Sequence, residues 1–213
     1  MQKVIDNALI FVKEWFEKEY SGHDYFHTLR VYKTATAIAI KEKANLQIVQ
    51  LGALLHDIDD RKISPLTHKN KDNARKFLLN NGVSLQVINQ ICDIIEEVSY
   101  KGVNCKSVTS IESACVQDAD RLDALGAIGI ARAFAYGGAN NRVMHNPEIE
   151  PKLNMSVDEY RAHISTTVNH FYEKLFNLKD LMNTSTAKAM AKEREEYMKD
   201  YIARFNAEWR GEK

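Results

Sequence analysis

The chain has 213 residues, and its 29 lysine and arginine residues balance 29 aspartate and glutamate residues, so the formal net charge is zero. A balanced charge gives no electrostatic reason for nucleic acid or an anionic membrane to be the main partner, so any phosphate-binding site must be local. The cysteines at positions 92, 105 and 115 are odd in number and lack CxxC spacing. They indicate neither a disulfide framework nor a thiolate zinc site.

The N-terminal segment MQKVIDNALIFVKEWFEKEY has apolar and charged residues at helical spacing. It lacks the apolar core and the cleavage site of a signal peptide. No apolar run in the chain approaches the length that spans a bilayer. We therefore expect a reduced, cytoplasmic, globular protein.

Hydrophobic residues recur with a period of about 3.6 through most of the chain, which is typical of α-helices. Asn45 and Ser84 are the expected N-caps of two helices, and Gly82 is an expected C-terminal stop. The patterns predict helices at residues 2–20, 25–43, 45–59, 69–81, 84–100, 110–138, 157–177 and 185–209. The stretch at 138–156 contains two prolines and is the longest predicted loop, which makes it a candidate functional loop. The whole pattern predicts one all-α domain.

His27 lies on the apolar face of the second predicted helix. It is in register with Val31, Ala35 and Ile38, at offsets of about 4, 8 and 11 residues, which mark a single helical face. We therefore expect the imidazole to continue a buried stripe. The ordinary alternative is a core histidine that is bonded to a backbone carbonyl.

Two more helices place ionisable groups on apolar faces. His56 stacks over Gly52 on the third predicted helix, and Asp57 follows about 100° further round. Asp120 shares a face with Val116 on the long predicted helix. A lone aspartate on such a face is usually a cap or an ion-pair partner. Ionisable groups on the apolar faces of three helices, however, indicate that these groups contact each other or a metal, because an unpaired buried charge is costly in free energy.

The two imidazoles and two carboxylates would form a mixed nitrogen and oxygen ligand set without thiolate. Such a set suits one divalent ion, namely Mn²⁺, Mg²⁺, Fe²⁺, Co²⁺, Ni²⁺ or Zn²⁺. An ion held in this way can activate water and polarise a phosphoryl oxygen, so the set favours hydrolysis of a phosphate ester or anhydride.

Other polar residues are candidates for catalysis or substrate binding. Asp60 lies four residues after His56, on the same face of the predicted helix, and could act as a general base. Arg121, next to Asp120, could contact phosphate oxygens. Each has an equally ordinary reading as a surface or ion-pair residue. Five further residues could line the substrate site: Arg61, Lys62, His68, His145 and His23.

The segments HTLRV at 27–31, LLHDIDD at 54–60 and QDADRLDALGAIGIARAF at 117–134 together resemble the HD superfamily of metal-dependent phosphohydrolases. The C-terminal stretch at 163–198 resembles the tail of a subgroup of small bacterial HD hydrolases. The resemblance implies a helical bundle with a ligand core at about 20–135 and with helices 157–209 packing on it. It also implies that the metal ligands, in the order H…HD…D, are His27, His56, Asp57 and Asp120.

Departures from other branches of the superfamily narrow the expected activity. Branches with two metals resemble each other in having further histidines between HD and the last Asp, and only His68 lies in that interval here. In the stringent-response hydrolases an HDxxED box is present. This chain has Asp60 in place of the Glu of that box and Arg61 in place of the following Asp. A single-metal hydrolase is therefore favoured over a di-iron oxygenase or a ppGpp hydrolase.

The expected substrate is a nucleotide or another small phosphorylated metabolite, and the favoured reaction is nucleoside triphosphate pyrophosphohydrolysis. The resemblance supplies this expectation, since fold alone does not define substrate. Two alternatives stay open: a non-hydrolytic ligand sensor in which the metal is a structural staple, and a di-iron oxygenase. No nucleic acid polymer or membrane is expected as a partner, and a homodimer is the default expectation.

Overall fold

The computed structural model describes residues 1–17, 24–61, 63–98, 108–153, 155, 159, 163 and 165–213. These residues form α-helices and one 3₁₀-helix, and they contain no β-strand, so the predicted all-α class is confirmed. The α-helices are α1 Gln2–Trp15, α2 Tyr25–Glu42, α3 Leu46–Leu55, α4 Asp72–Asn80, α5 Leu85–Val98, α6 Ile111–Asp123, α7 Gly126–Ala139, α8 Thr167–Glu173 and α9 Ser185–Trp209. The 3₁₀-helix is Leu175–Leu181 and follows α8.

The chain forms two compact units, Met1–Asp120 and Arg121–Lys213. The first unit contains α1 to α5 and most of α6, and the second contains the end of α6 and the remaining helices. The prediction of a single domain over 1–213 stays a prediction. Among the described residues, none of the helices combines the length and the apolar character that a bilayer crossing requires.

Helix α3 is the centre of the first unit. It packs against α1, α2 and α5, and seven of its ten residues are buried. The close approach of α3 to α5 depends on Gly52. A Cβ atom on this glycine would lie 3.0 Å from Cγ2 of Ile94, so Ile94 of α5 occupies the space that the missing side chain leaves.

Side chains cap the starts of α2 and α3, and the sequence predicts the cap of α3 and the glycine stop after α4. The Asp24 carboxylate accepts a hydrogen bond of 2.7 Å from the backbone N–H of His27 at the start of α2. The Asn45 side chain caps α3 in the same way through Ile48 N, at 3.4 Å. Helix α4 is followed by Gly82 with φ +72°, the left-handed conformation expected of a glycine stop.

The third predicted helix is shorter than predicted. Helix α3 ends at Leu55 instead of continuing to residue 59, and His56 is its C-cap residue. Turns follow, in which Ile58 N donates to Leu55 O at 3.3 Å and Asp60 N donates to Asp57 O at 3.0 Å. We attribute the early end to Asp59, whose carboxylate accepts a hydrogen bond from the N–H of Ala74 in the first turn of α4.

The long helix predicted at 110–138 is two helices, α6 and α7. The break lies at Leu125, which is extended, and Gly126, which has φ +70°. A Cβ atom on Gly126 would lie 3.1 Å from Cγ of Arg194, so the Arg194 side chain packs closely against this glycine. The Arg194 guanidinium donates a hydrogen bond to the carbonyl of Leu122, in the last turn of α6. Helical periodicity continues through this corner because both helices bury apolar faces, so the pattern alone did not show the break.

Two further boundaries differ from the predictions. The first helix ends at Trp15, although the sequence predicts it to residue 20. Residues 18–23, which include the end of that predicted helix, lie outside the described residues. Within the helix predicted at 157–177, α8 covers Thr167–Glu173 and the 3₁₀-helix begins at Leu175. Helix α8 starts at Thr167 because Thr166 is an extended N-cap whose Oγ1 accepts from Asn169 N at 3.0 Å. Helix α9 has the predicted bounds 185–209.

Replacement of Gly52 tests the contact between α3 and α5. In Gly52→Val the branched side chain would collide with Ile94, and we expect the free energy of unfolding to fall by about 1–3 kcal/mol. The matched control is Gly138→Ala in α7, where nothing lies within 4 Å of the added Cβ. That change should be neutral or stabilising by up to about 1 kcal/mol. Urea denaturation measures the free energy of unfolding of both variants. Equal stability of Gly52→Val and the wild type would contradict the close approach of α3 to α5.

Stability should also depend on His170 in α8. Burial, together with the charges of Lys174 and Arg142, lowers the pKa of this imidazole from 6.5 to about 3. Since the folded state then stays neutral while the unfolded state takes up a proton, stability is complete above pH 6.5 and decreases as the pH falls below it. Relative to His170→Gln, the wild type should lose up to about 1.4 kcal/mol for each pH unit below that point. If the stabilities of the wild type and His170→Gln changed in parallel between about pH 7 and about pH 4.5, this expectation would be contradicted.

Candidate metal centre

His27 reaches the interior from the first turn of α2. Its backbone N–H is held by the Asp24 cap, and its side chain is 1% exposed. A histidine in this position cannot exchange its hydrogen bonds with bulk water. Its Nε2 atom lies instead beside carboxylate oxygens of two other elements, at 3.4 Å from Asp57 Oδ2 and 3.4 Å from Asp120 Oδ1.

His56 has its tautomer set by the end of α3. Its Nδ1 lies 2.8 Å from the carbonyl oxygen of Ala53. A carbonyl can only accept, so Nδ1 carries the proton, and Nε2 of the neutral ring presents a lone pair. Nε2 is buried and makes no hydrogen bond of good geometry, although Asp57 Oδ2 is 3.1 Å away. A backbone carbonyl behind a histidine ring is the usual support for a metal-ligating imidazole.

Asp57 and Asp120 bring carboxylates to the two imidazoles. Ligand atoms of His27, His56 and Asp57 all lie within 4.8 Å of one another, and all three residues are buried. Asp120, from α6, places Oδ1 at 3.4 Å from His27 Nε2 and at 3.9 Å from His56 Nε2. The structure therefore brings together the four residues that the sequence predicts as ligands.

The electrostatics of this cluster favour a bound cation. Burial lowers the pKa of His56, but Asp57 and Asp120 outweigh burial and hold that pKa above its ordinary value. Burial raises the pKa of Asp120, but the hydrogen bond to His27 and the charges of both imidazoles hold it below its ordinary value. The Asp120 carboxylate thus stays ionised beside the buried imidazoles and attracts positive charge, so the residues present fit a divalent metal.

Comparisons with known proteins agree with this geometry. The sequence model of the HD domain matches residues 24–125, a stretch that contains all four cluster residues. YpgQ of Bacillus subtilis is 37% identical over 202 residues, which cover 94% of this chain and 91% of YpgQ. The chain belongs to the HD-domain family.

Crystal structures of other HD-domain proteins share the fold. An HD-superfamily hydrolase from Bacillus thuringiensis is 41% identical, with a TM-score of 0.79 and with 98% of both chains covered. YpgQ of Bacillus subtilis in complex with ADP is 33% identical, with a TM-score of 0.76 and with 96% of this chain and 97% of the YpgQ chain covered. The predicted membership of the HD superfamily is confirmed.

Three other candidate residues lie on the loop that follows the His-Asp pair of the HD domain. Asp60 is half-buried, and Arg61 is exposed. Asp60 does not lie on a helical face with His56, as was predicted, because α3 ends at Leu55. His68 is half-buried and its Nδ1 donates to the carbonyl of Asp59 at 3.0 Å, which leaves Nε2 as the atom that could contact a ligand. Their roles stay predictions.

Two further candidates, Arg121 and His145, are distant from this loop along the chain. Arg121 is buried in the second unit, and its guanidinium donates to the carbonyl of Leu181. His145 is half-buried with its ring 4.9 Å from that of Trp209, and burial lowers its pKa. Their predicted contacts with substrate stay predictions. His23 and Lys62 lie outside the described residues.

Two polar residues that the sequence analysis did not single out support the cluster. Asp59 is buried and bonds to the start of α4. The Glu97 carboxylate accepts from Thr109 Oγ1 at 2.7 Å, and the Glu97 carbonyl accepts from Gln117 Nε2 at 2.6 Å. These bonds attach α6, which carries Asp120, to α5. Asp59 had one usable signal, a third carboxylate within an apolar stretch, but its partners are distant in sequence.

Metal binding should stabilise the protein. At about 100 times the dissociation constant, Mn²⁺ should add about 2.7 kcal/mol of stability and raise Tm by about 5–10 °C. His56→Ala should abolish this rise because it removes one imidazole from the cluster. His170→Gln, a histidine change in the second unit, should keep it. Differential scanning fluorimetry with and without chelator measures the effect, and an equal rise in His56→Ala would contradict the site.

Proposed function

We propose that this HD-domain protein is a divalent-metal-dependent phosphohydrolase that acts on nucleotides and releases pyrophosphate from nucleoside triphosphates. The observation that carries the proposal is the convergence of two imidazoles and two carboxylates from α2, α6 and the turn after α3. The relative from Bacillus thuringiensis, which is an HD-superfamily hydrolase, supports the hydrolytic class.

A single metal is the expected complement. Within the ranges that the structure describes, the His27, His56 and Asp57 group is the one cluster of three His, Cys, Asp or Glu residues with metal-binding distances. The residues that would hold the ion are these three and Asp120. The chemistry that such an ion supplies when bound is Lewis acidity toward water and toward a phosphoryl oxygen.

The protein's own side chains would perform the other tasks. The carbonyl of Ala53 keeps the proton on His56 Nδ1, so that Nε2 stays a donor of electrons. Burial of the imidazoles limits bulk water around the site, which strengthens its electrostatic interactions. Asp60, whose backbone is bonded to Asp57 O, is the proposed general base and would take a proton from the attacking water at a carboxylate oxygen.

A nucleotide substrate is supported by YpgQ, which forms a crystalline complex with ADP. In the proposed reaction, water attacks the α-phosphorus and the bond from that phosphorus to the bridging oxygen breaks. The products are a nucleoside monophosphate and pyrophosphate. Arg61 and His68, on the loop after the His-Asp pair, are proposed contacts for the phosphate chain, and Arg121 is a further proposed contact.

A nucleotide panel tests this proposal. Metal-stripped protein with added Mn²⁺ should release pyrophosphate from nucleoside triphosphates, measured by a coupled assay, and Asp57→Ala should be inactive with its helical circular dichroism unchanged. Release of orthophosphate from nucleoside monophosphates would show a different substrate, although the reaction would still be phosphate hydrolysis. Metal binding without any phosphate release would contradict the hydrolase and favour the sensor. Unfolding of Asp57→Ala would favour the structural staple.

The role of Asp60 has its own test. Asp60→Asn should lower kcat by about 10²- to 10⁴-fold, the usual contribution of a general base. The affinity for Mn²⁺ should stay within about twofold, because Asp60 is not one of the four cluster residues. A wild-type kcat in this variant would remove Asp60 from the catalytic groups, and a parallel loss of Mn²⁺ binding would make it a ligand instead.

A further inference from the structure

The turn that carries His56 and Asp57 begins where the regular helix ends. Helix α3 ends at Leu55, and bonds to the third residue back in the chain follow it, from Ile58 N to Leu55 O and from Asp60 N to Asp57 O. Short turns with few backbone bonds open locally at low cost in free energy. The positions of the two ligand side chains therefore require support from elsewhere in the chain.

Asp59 supplies such support from inside the turn. Its side chain is 1% exposed. One carboxylate oxygen, Oδ1, accepts from Asn73 Nδ2 at 2.8 Å. The other, Oδ2, accepts from the backbone N–H of Ala74 at 3.0 Å. A buried carboxylate with donors on both oxygens has a single stable orientation, so it holds the backbone on either side of it.

The carboxylate also completes helix α4. The residue at the N-cap position of α4, Lys71, makes no side-chain capping bond. The first N–H groups of a helix have no partner within it, and the positive end of the helix dipole lies there. Asp59, which precedes α4 by more than ten residues, accepts from one of those N–H groups and brings a negative charge to that end.

The backbone around Asp59 is held as well. Its carbonyl accepts from His68 Nδ1 at 3.0 Å. The carbonyl of the preceding Ile58 accepts from Ser64 Oγ at 2.9 Å. Asn73 Nδ2 donates in addition to Thr67 Oγ1 at 2.8 Å. The ligand turn, the following loop and the start of α4 are thus joined through one residue.

We propose that Asp59 is a positioning residue that caps α4 from the ligand turn and thereby holds His56 and Asp57 in the arrangement that binds the metal. This inference rests on the metal site of the proposed function, and it assigns Asp59 no contact with metal or substrate. It predicts that metal affinity depends on a hydrogen-bonding pair, Asp59 and Asn73, outside the ligand set.

An amide cannot replace this carboxylate. In Asp59→Asn one of the two side-chain oxygens becomes an NH₂ group. The Asn73 side-chain amide can turn to accept from that group, but the backbone N–H groups that donate to the carboxylate cannot turn. These are the N–H of Asn73, 3.4 Å from Oδ1, and the N–H of Ala74, 3.0 Å from Oδ2. In either orientation the NH₂ group therefore faces one backbone donor, which loses its acceptor, and this is destabilising. The turn should therefore lose its single orientation.

The test measures Mn²⁺ affinity, by electron paramagnetic resonance of the free ion, so it does not depend on turnover. Asp59→Asn should bind Mn²⁺ about 10- to 100-fold more weakly than the wild type, as expected for a residue that orients ligands. The matched control is Asp72→Asn, which removes an exposed carboxylate from the first turn of the same helix. Its affinity should stay within about twofold. If Asp59→Asn and Asp72→Asn lost equal affinity for Mn²⁺, the loss would come from the charge at the start of α4 alone, and the proposal would be overturned.

An exchanged pair and a packing control separate positioning from general stability. The double variant Asp59→Asn with Asn73→Asp restores a carboxylate and amide pair, and it should recover at least about half of the lost affinity on a logarithmic scale. Leu78→Ala makes a cavity in the core beside α4. It should lower Tm but keep the affinity for Mn²⁺. Failure of the exchanged pair to rescue, or an equal affinity loss in Leu78→Ala, would overturn the proposal.

Hydrogen exchange of the metal-free protein distinguishes this inference from the proposed function. Asp59→Asn should speed exchange of the Ile58 and Asp60 amides about tenfold or more, since their opening becomes easier. Unchanged exchange would overturn the proposal even if hydrolysis is found. Conversely, a wild type that binds Mn²⁺ but hydrolyses no nucleotide would end the proposed function, while weaker Mn²⁺ binding by Asp59→Asn would still support the positioning role.

Discussion

The molecule's central constraint is that two imidazoles and the Asp57 carboxylate are buried together beside the partly exposed Asp120 carboxylate. The three buried groups cannot be solvated as they would be in water, so each depends on the others, on Asp120 or on a bound cation. The pKa of His56 is held up and that of Asp120 is held down by this mutual attraction. A divalent ion would satisfy the carboxylates and the imidazole lone pairs together, which is why the cluster is understood best as a metal centre.

The surrounding fold brings these groups together from separate elements. Helix α3 is so deeply packed that its end can present His56 without exposing it, and Gly52 allows α5 to lie close alongside. The bonds of Glu97 attach α6, with Asp120, to α5. The Asp59 carboxylate then joins the ligand turn to α4. A small number of polar bonds thus position the ligands within an otherwise apolar bundle.

Much of this arrangement is visible in the sequence because it follows helical periodicity. His27 continues the stripe of Val31 and Ala35, and the cap at Asn45 and the bounds of α9 follow from local patterns. The four cluster residues stand out because they are ionisable groups on apolar faces. Resemblance to the HD superfamily then associates them with one another.

Features that depend on distant partners could not be predicted. Helix α3 ends at Leu55 because Asp59 bonds to Ala74, and no local pattern contains that bond. The corner at Gly126 requires a positive φ and the guanidinium of Arg194, which is far along the chain. The role of Asp59 could not be predicted for the same reason: its partners are distant in sequence, and its local sequence resembles that of the neighbouring aspartates.

The most direct test of the metal centre is pulsed electron paramagnetic resonance of the Mn²⁺-loaded protein, which detects nitrogen bonded to the ion. We expect nitrogen couplings from two imidazoles in the wild type and from one in His56→Ala and in His27→Ala. Bound Mn²⁺ without nitrogen coupling in the wild type, or with couplings from two imidazoles in either variant, would contradict this prediction.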